Sequence, residues 1–201
     1  AAQSIDLMQA IHGTALRWVV MLAPLGFVLF ISARIHAMKA STAQTVFWVY
    51  SALMGLCLSY IFLAYTGASI ARVFFITAGT FAGMSLYGYT TKRDLSGFRS
   101  FLFMGLIGVI IASIVNIFLN STALHFTISV IGVLVFVGLT AYDTQSIKSM
   151  YSELDGSEVA GKKAIMGALR LYLDFINLFI MLLSLFGSCL LYTSDAADEG
   201  L

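Results

Sequence analysis

The sequence predicts an all-α fold, a polytopic membrane helix bundle, and three observations carry that prediction. Of 201 residues, 60% are hydrophobic and only 10% are charged, where a soluble domain carries about a quarter. Mean hydropathy is +0.94, and the apolar residues gather in runs of about 20, the length that crosses a bilayer core. Basic residues fall in every second connection between those runs, the charge asymmetry of a chain threaded back and forth through a membrane. Lipid is therefore the expected environment. The net charge of +1 is spread singly or in pairs and forms no basic stripe, so nucleic acid is not an expected partner.

Six spans are delimited by polar residues, at roughly 15–35, 44–65, 70–90, 101–119, 125–147 and 165–187, within a single bundle over 1–188. The first ends at Arg34 and His36 and the third at Lys92, Arg93 and Asp94. Within the third, Gly79 and Gly83 form a GxxxG spacing that lets a neighbouring helix approach, although such spacing is frequent by chance in glycine-rich membrane helices. Arg34 and Lys39, then Lys92, Arg93 and Arg99, then Lys148, Lys162 and Lys163 follow the odd-numbered runs. Those connections are expected in the cytoplasm. The longest, about residues 148–163, is polar and glycine-containing and reads as a connector, not a second domain.

Both ends read as altered. Residue 1 is Ala and no secretory signal pattern follows; with the amino end outside the cytoplasm on this charge count, one preceding helix is expected to be missing. Residues 189–201, beginning Cys189-Leu-Leu-Tyr-Thr-Ser, read as a translated sequencing adapter. Cys57 and Cys189 have neither the number nor the spacing of a disulfide framework or a metal knuckle.

Only two acidic residues fall inside the runs, Asp143 and Asp174. An ionised Asp at the centre of a membrane helix costs about 2.5–3.5 kcal/mol on the lenient insertion scale. Asp143 lies about 6 Å, and Asp174 about 14 Å, from the cytoplasmic ends of their helices at 1.5 Å per residue. The helices are consecutive and antiparallel, so the carboxyls are expected to meet as a pair. Two close carboxylates in low dielectric cannot both ionise cheaply; they share a proton and titrate in coupled steps. Oxygen donors of this kind also suit a hard cation such as Ca2+, which makes Asp143 and Asp174 candidates for a pH sensor and a cation site. A plainer reading stands beside this. Arg170 precedes Asp174 by four residues, and an intrahelical ion pair would account for both charges, while Asp143 would point its head to water. Arg34 is a candidate counter-ion to the pair, with snorkelling to the headgroups as its alternative.

No enzyme is expected. His12, His36 and His125 are scattered, HExxH is absent, and neither a P-loop nor GxSxG occurs. No cofactor is implied by any motif.

The segments 136–148, FVGLTAYDTQSIK, and 171–179, LYLDFINLF, with SLYGYTTKRDLSG at 85–97 upstream, resemble the Bax inhibitor-1 family, most closely its bacterial members, over nearly all of residues 15–187. The resemblance implies seven helices, six of them present here, with the last one central. It implies a pH-sensitive Ca2+ leak in which the aspartates matching Asp143 and Asp174 form a hydrogen-bonded pair, joined by an arginine for which Arg34 is the nearest candidate. It also implies an inner-membrane location, and in some members suppression of cell death or modulation of a membrane-bound ATP-dependent protease. Arg170 stands where the family usually has a small polar residue, and a cation there would hold Asp174 ionised. An intramembrane aspartyl protease is the third reading, disfavoured because Leu171, Tyr172 and Leu173 stand in place of its GxGD motif.

Overall fold

The computed structural model describes Arg34, residues 37–59 and residues 61–187. The expected first span and the tail at 189–201 lie outside these residues, Arg34 excepted. Five long helices follow one another: α1 Ala40–Leu58, α2 Gly67–Thr90, α3 Arg99–Leu119, α4 Thr122–Met150 and α5 Ser157–Phe186, with one helical turn at Ile61–Ala64 and a 3-10 turn at Ser96–Phe98. Among the described residues there is no strand. Among the described residues four helices are long and apolar enough to cross a membrane, Gly67–Thr90, Ser96–Leu119, Thr122–Met150 and Ser157–Phe186.

Local chemistry explains where they start and stop. Thr66 and Ser121 are N-caps whose hydroxyls accept the amides of Ser69 and Leu124, both at 3.3 Å, replacing partners that a helix start lacks. Asn120 ends α3 in the left-handed region at φ 46°, a conformation that Asn tolerates better than most residues. Its neighbour Ser121 donates its amide to Asn116 Oδ1 at 3.0 Å, so the turn into α4 needs only two residues. Inside the apolar helices, hydroxyls are satisfied by the carbonyl one turn back, as for Thr77, Thr140 and Ser113. No water is needed at those positions.

Two boundaries differ from the sequence expectation. The run read as 44–65 is interrupted after Leu58, where Ser59 turns its hydroxyl onto Leu56 O at 2.6 Å. The connector expected over 148–163 shrinks to residues 151–156, because Lys148, Glu158, Lys162 and Lys163 lie within the adjoining helices and only Glu153 and Asp155 stay in the loop. Lys163 Nζ bonds Asp155 Oδ2 at 2.6 Å and Met150 O at 2.9 Å, and Glu158 accepts the Ala40 amide at 2.7 Å while facing Lys162 at 3.4 Å.

The last helix carries the core. One apolar cluster joins Val73, Phe136, Leu178, Phe179, Leu182 and Leu183, and a second joins Ala43, Tyr50 and Leu169. Helix α5 contributes to both and packs against α1, α2 and α4. On α3 the large side chains point away, with Phe101 and Phe118 among the most exposed, as suits a lipid-facing surface. The GxxxG pair does not mark a contact among the described residues, since nothing described lies near Gly79 or Gly83. The close approach occurs nine residues later, where a Cβ on Gly88 would fall on the Ala141 carbonyl.

Candidate functional site

Helices α4 and α5 run antiparallel in a fixed register. Ser129 faces Ser184 with the two hydroxyls 3.0 Å apart, Gly132 faces Met181, and Gly167 faces Ile147. Continuing that register sets Asp143 opposite Arg170 and Asp174 about one helical turn deeper. Such a stagger still lets the carboxyls meet, and they lie within hydrogen-bonding reach of each other.

The surroundings of the pair are unequal. Asp174 is only 5% exposed, and its Oδ2 has no N–H or O–H donor. Asp143 is half-buried, and Arg170 Nη1 stands 4.0 Å from its Oδ1. The ion pair of Arg170 therefore runs between helices to Asp143, not along its own helix to Asp174. Register supplies the reason. The guanidinium keeps its solvated position, 40% exposed, by pairing with the shallower carboxyl; following Asp174 inward would strip more of its hydration. Arg99, at the start of α3, also acts on Asp143 through its charge.

Nearby polar side chains are already committed. Thr140 and Thr144 donate to Phe136 O and Thr140 O at 2.8 and 2.7 Å, and Asn177 Nδ2 donates to Leu173 O at 2.8 Å. A hydrogen bond between two carboxyls requires that one of them hold a proton. With both protons gone, the buried pair is left as adjacent like charges. The described residues bring no third His, Cys, Asp or Glu to it, so a cation there would complete its shell with backbone carbonyls and water.

Of the residues singled out in the sequence, Asp143, Asp174 and Arg170 come together. Arg34 is exposed and makes no ion pair among the described residues. Arg99 was not anticipated, because its sequence context marks it only as a loop charge; the packing of α3 on α4 brings its charge within electrostatic range of Asp143.

Comparison with known proteins places this geometry in a family. The family described as "Inhibitor of apoptosis-promoting Bax1" matches residues 2–189. The chain is 51% identical to the Inner membrane protein YbhL of Escherichia coli over 191 residues, 94% of this chain and 82% of that protein. It is 54% identical to an uncharacterized protein of Rickettsia prowazekii over 170 residues, covering 85% and 72% of the two chains. An uncharacterized membrane protein of Streptococcus pyogenes is 44% identical over 160 residues, 80% of this chain and 69% of that one. The apolar helices, the family match and these relatives lead to one conclusion: the chain belongs to the Bax inhibitor-1 family and is a multi-pass integral membrane protein of the bacterial inner membrane.

Proposed function

We propose that the protein is a pH-sensitive Ca2+ leak channel or transporter, gated by the proton that Asp143 and Asp174 share. On this reading it is not an enzyme, its cargo is Ca2+, and protons are its regulator. The bundle has six spans here out of seven in the whole protein, with α5 as the central helix.

One observation supports the reading above the others: two carboxyls on consecutive membrane helices within hydrogen-bonding reach, the deeper one carrying an oxygen that no donor satisfies. A purely structural pair would be closed by N–H donors or a cation on the buried partner, since an orphaned buried acceptor costs about 1–3 kcal/mol. Proton loss replaces a hydrogen bond between α4 and α5 with repulsion, a local charge event that biases a two-state packing. The same oxygens, once ionised, are hard ligands for Ca2+. Arg170 and Arg99 balance the charge on the shallower side. A second role, in which the protein modulates a membrane-bound protease, would place function on lipid-facing or terminal surfaces and leave the pair without a task.

Ca2+ flux into dye-loaded liposomes, followed as the pH is varied on both sides of neutrality, tests the reading. Wild type is expected to leak with a pH dependence. Asp143→Asn and Asp174→Asn each supply a permanent N–H donor and should flatten it, whereas Arg170→Gln should move its midpoint and keep the dependence. Flux equal to that of empty liposomes in all four would sink the channel reading and leave the partner-binding one.

A further inference from the structure

A second polar feature lies at the end of the bundle that carries the basic connection 91–98 and the last turn of α4 with Lys148. Between the segment 91–98 and the last turns of α4 is a pocket of about 320 Å³, lined by Lys92, Arg93, Asp94, Tyr142, Gln145 and Ser146 among others. That volume is at the small end of ligand pockets. We propose that this pocket binds the phosphodiester headgroup of an anionic phospholipid, with Lys92 and Arg93 as the charged ligands and the hydroxyls of Tyr142 and Ser146 as donors.

The pocket is fixed by its own hydrogen bonds. Gln145 grips the loop with both ends of its amide, Nε2 donating to Arg93 O and Oε1 accepting the Leu95 amide, each at 2.8 Å. Lys148 Nζ donates to Tyr89 O at 2.8 Å and stacks 4.5 Å over the Tyr89 ring. A headgroup therefore meets a loop that is already ordered, which spares the entropy of ordering it on binding.

The charges point outward. Asp94 turns its carboxylate back onto its own loop, accepting the Ser96 amide and hydroxyl at 2.8 Å each. Among the described residues neither Lys92 nor Arg93 has a carboxylate within ion-pair distance. The hydroxyls of Tyr142 and Ser146, one turn apart on the same face of α4, have no hydrogen bond to another described group. Two cations against one carboxylate leave a single positive charge, the complement of a phosphodiester monoanion.

Surroundings favour a lipid as the source. The pocket's loop joins two membrane-length helices, and the chain flanking it carries Tyr89, Phe98 and Phe101, which are 56%, 59% and 70% exposed. Acyl chains would lie against such side chains while the phosphate enters the pocket. Basic pockets between helices on the basic side of a membrane protein recognise anionic headgroups, and the guanidinium fork matches phosphate oxygens.

Native mass spectrometry of the delipidated full-length protein tests the proposal, with phosphatidylglycerol, phosphatidylcholine and inorganic phosphate as probes. Wild type should retain phosphatidylglycerol about tenfold better than phosphatidylcholine, the effect of one good charge-assisted contact. The double variant Lys92→Gln, Arg93→Gln should lose that preference, Tyr142→Phe should weaken it by about two- to fivefold, and Lys39→Gln, a cation outside the pocket, should keep it, all at unchanged thermal melting. Equal retention of the two lipids, or a preference that survives the double variant, would overturn the proposal. Displacement of phosphatidylglycerol by equimolar inorganic phosphate would overturn the lipid assignment and make a soluble anion the ligand.

Discussion

Asp174 is buried beside another carboxyl, with no cation in ion-pair contact among the described residues, and that decides what a substitution there does. Asn keeps the shape and supplies a fixed donor, so it should hold α4 to α5 at every pH. Gly88 is a second sensitive residue, because any Cβ there meets the Ala141 carbonyl backbone. Gly88→Val should lower stability by about 1–3 kcal/mol, the usual cost of overpacking, read as earlier thermal unfolding in detergent, whereas Gly79→Ala, with open space around it, should cost nothing. Asp94 gives a pH prediction with a definite sign. The Ser96 amide and hydroxyl hold its carboxyl below the usual carboxylate range. A value lowered by folding contributes stability above the unfolded value and loses it as pH falls through the folded one. The loop should therefore be insensitive through neutral pH and loosen only in acid. An NMR titration of the Ser96 amide should show a midpoint below that of an unfolded Asp, which Ser96→Ala raises. Sequence made the aspartates legible, since an acid in an apolar run stands out. It could not assign the partner of Arg170, because four-residue spacing describes one helix, while the ion pair is set by the register between two.

At the scale of elements, α4 and α5 are tied at both ends, and the end away from the aspartates is tied by a ring of hydrogen bonds. Ser129 Oγ donates to His125 O at 2.9 Å, so the proton in the 3.0 Å contact between Ser129 and Ser184 comes from Ser184. With Ser184 assigned as that donor, its Oγ accepts from His125 Nε2–H, 2.7 Å away. On that assignment the ring closes across the two helices and ties α4 to α5 through Ser184. Imidazole nitrogen shifts should show Nε2 protonated at neutral pH; the Nδ1–H tautomer would contradict the assignment. Ser184→Ala should cost about 0.6 kcal/mol, typical of interhelical hydrogen bonds in membranes. None of this was legible in sequence, where His125 is one of three scattered histidines and serines in apolar helices usually bond their own backbone. Helix identities were legible from apolar length. Their boundaries were not, because Glu158, Lys162 and Lys163 look like loop charges although they lie inside α5, where Lys163 reaches back to Asp155 in the loop.

For the whole molecule, class and environment follow from composition, and family from the two aspartate motifs. What composition does not contain is the packing that makes α5 the shared partner of α1, α2 and α4. The connections 91–98 and 151–156, the first basic and the second flanked by Lys148, Lys162 and Lys163 on the adjoining helices, lie at one end of the bundle and Asn120 at the other. Cysteines introduced at Lys92 and Ser152 should accordingly be labelled only from the cytoplasmic side, and one at Asn120 only from the opposite side. The central claim is that Asp143 and Asp174 share a proton whose loss changes the flux, and infrared spectroscopy of the reconstituted protein tests it most directly. Wild type should show a protonated-carboxyl band that disappears over the same pH interval in which Ca2+ flux changes, with that transition absent in both Asn variants. A carboxyl band that never appears, or one that titrates unchanged in Asp143→Asn and Asp174→Asn, would contradict the account.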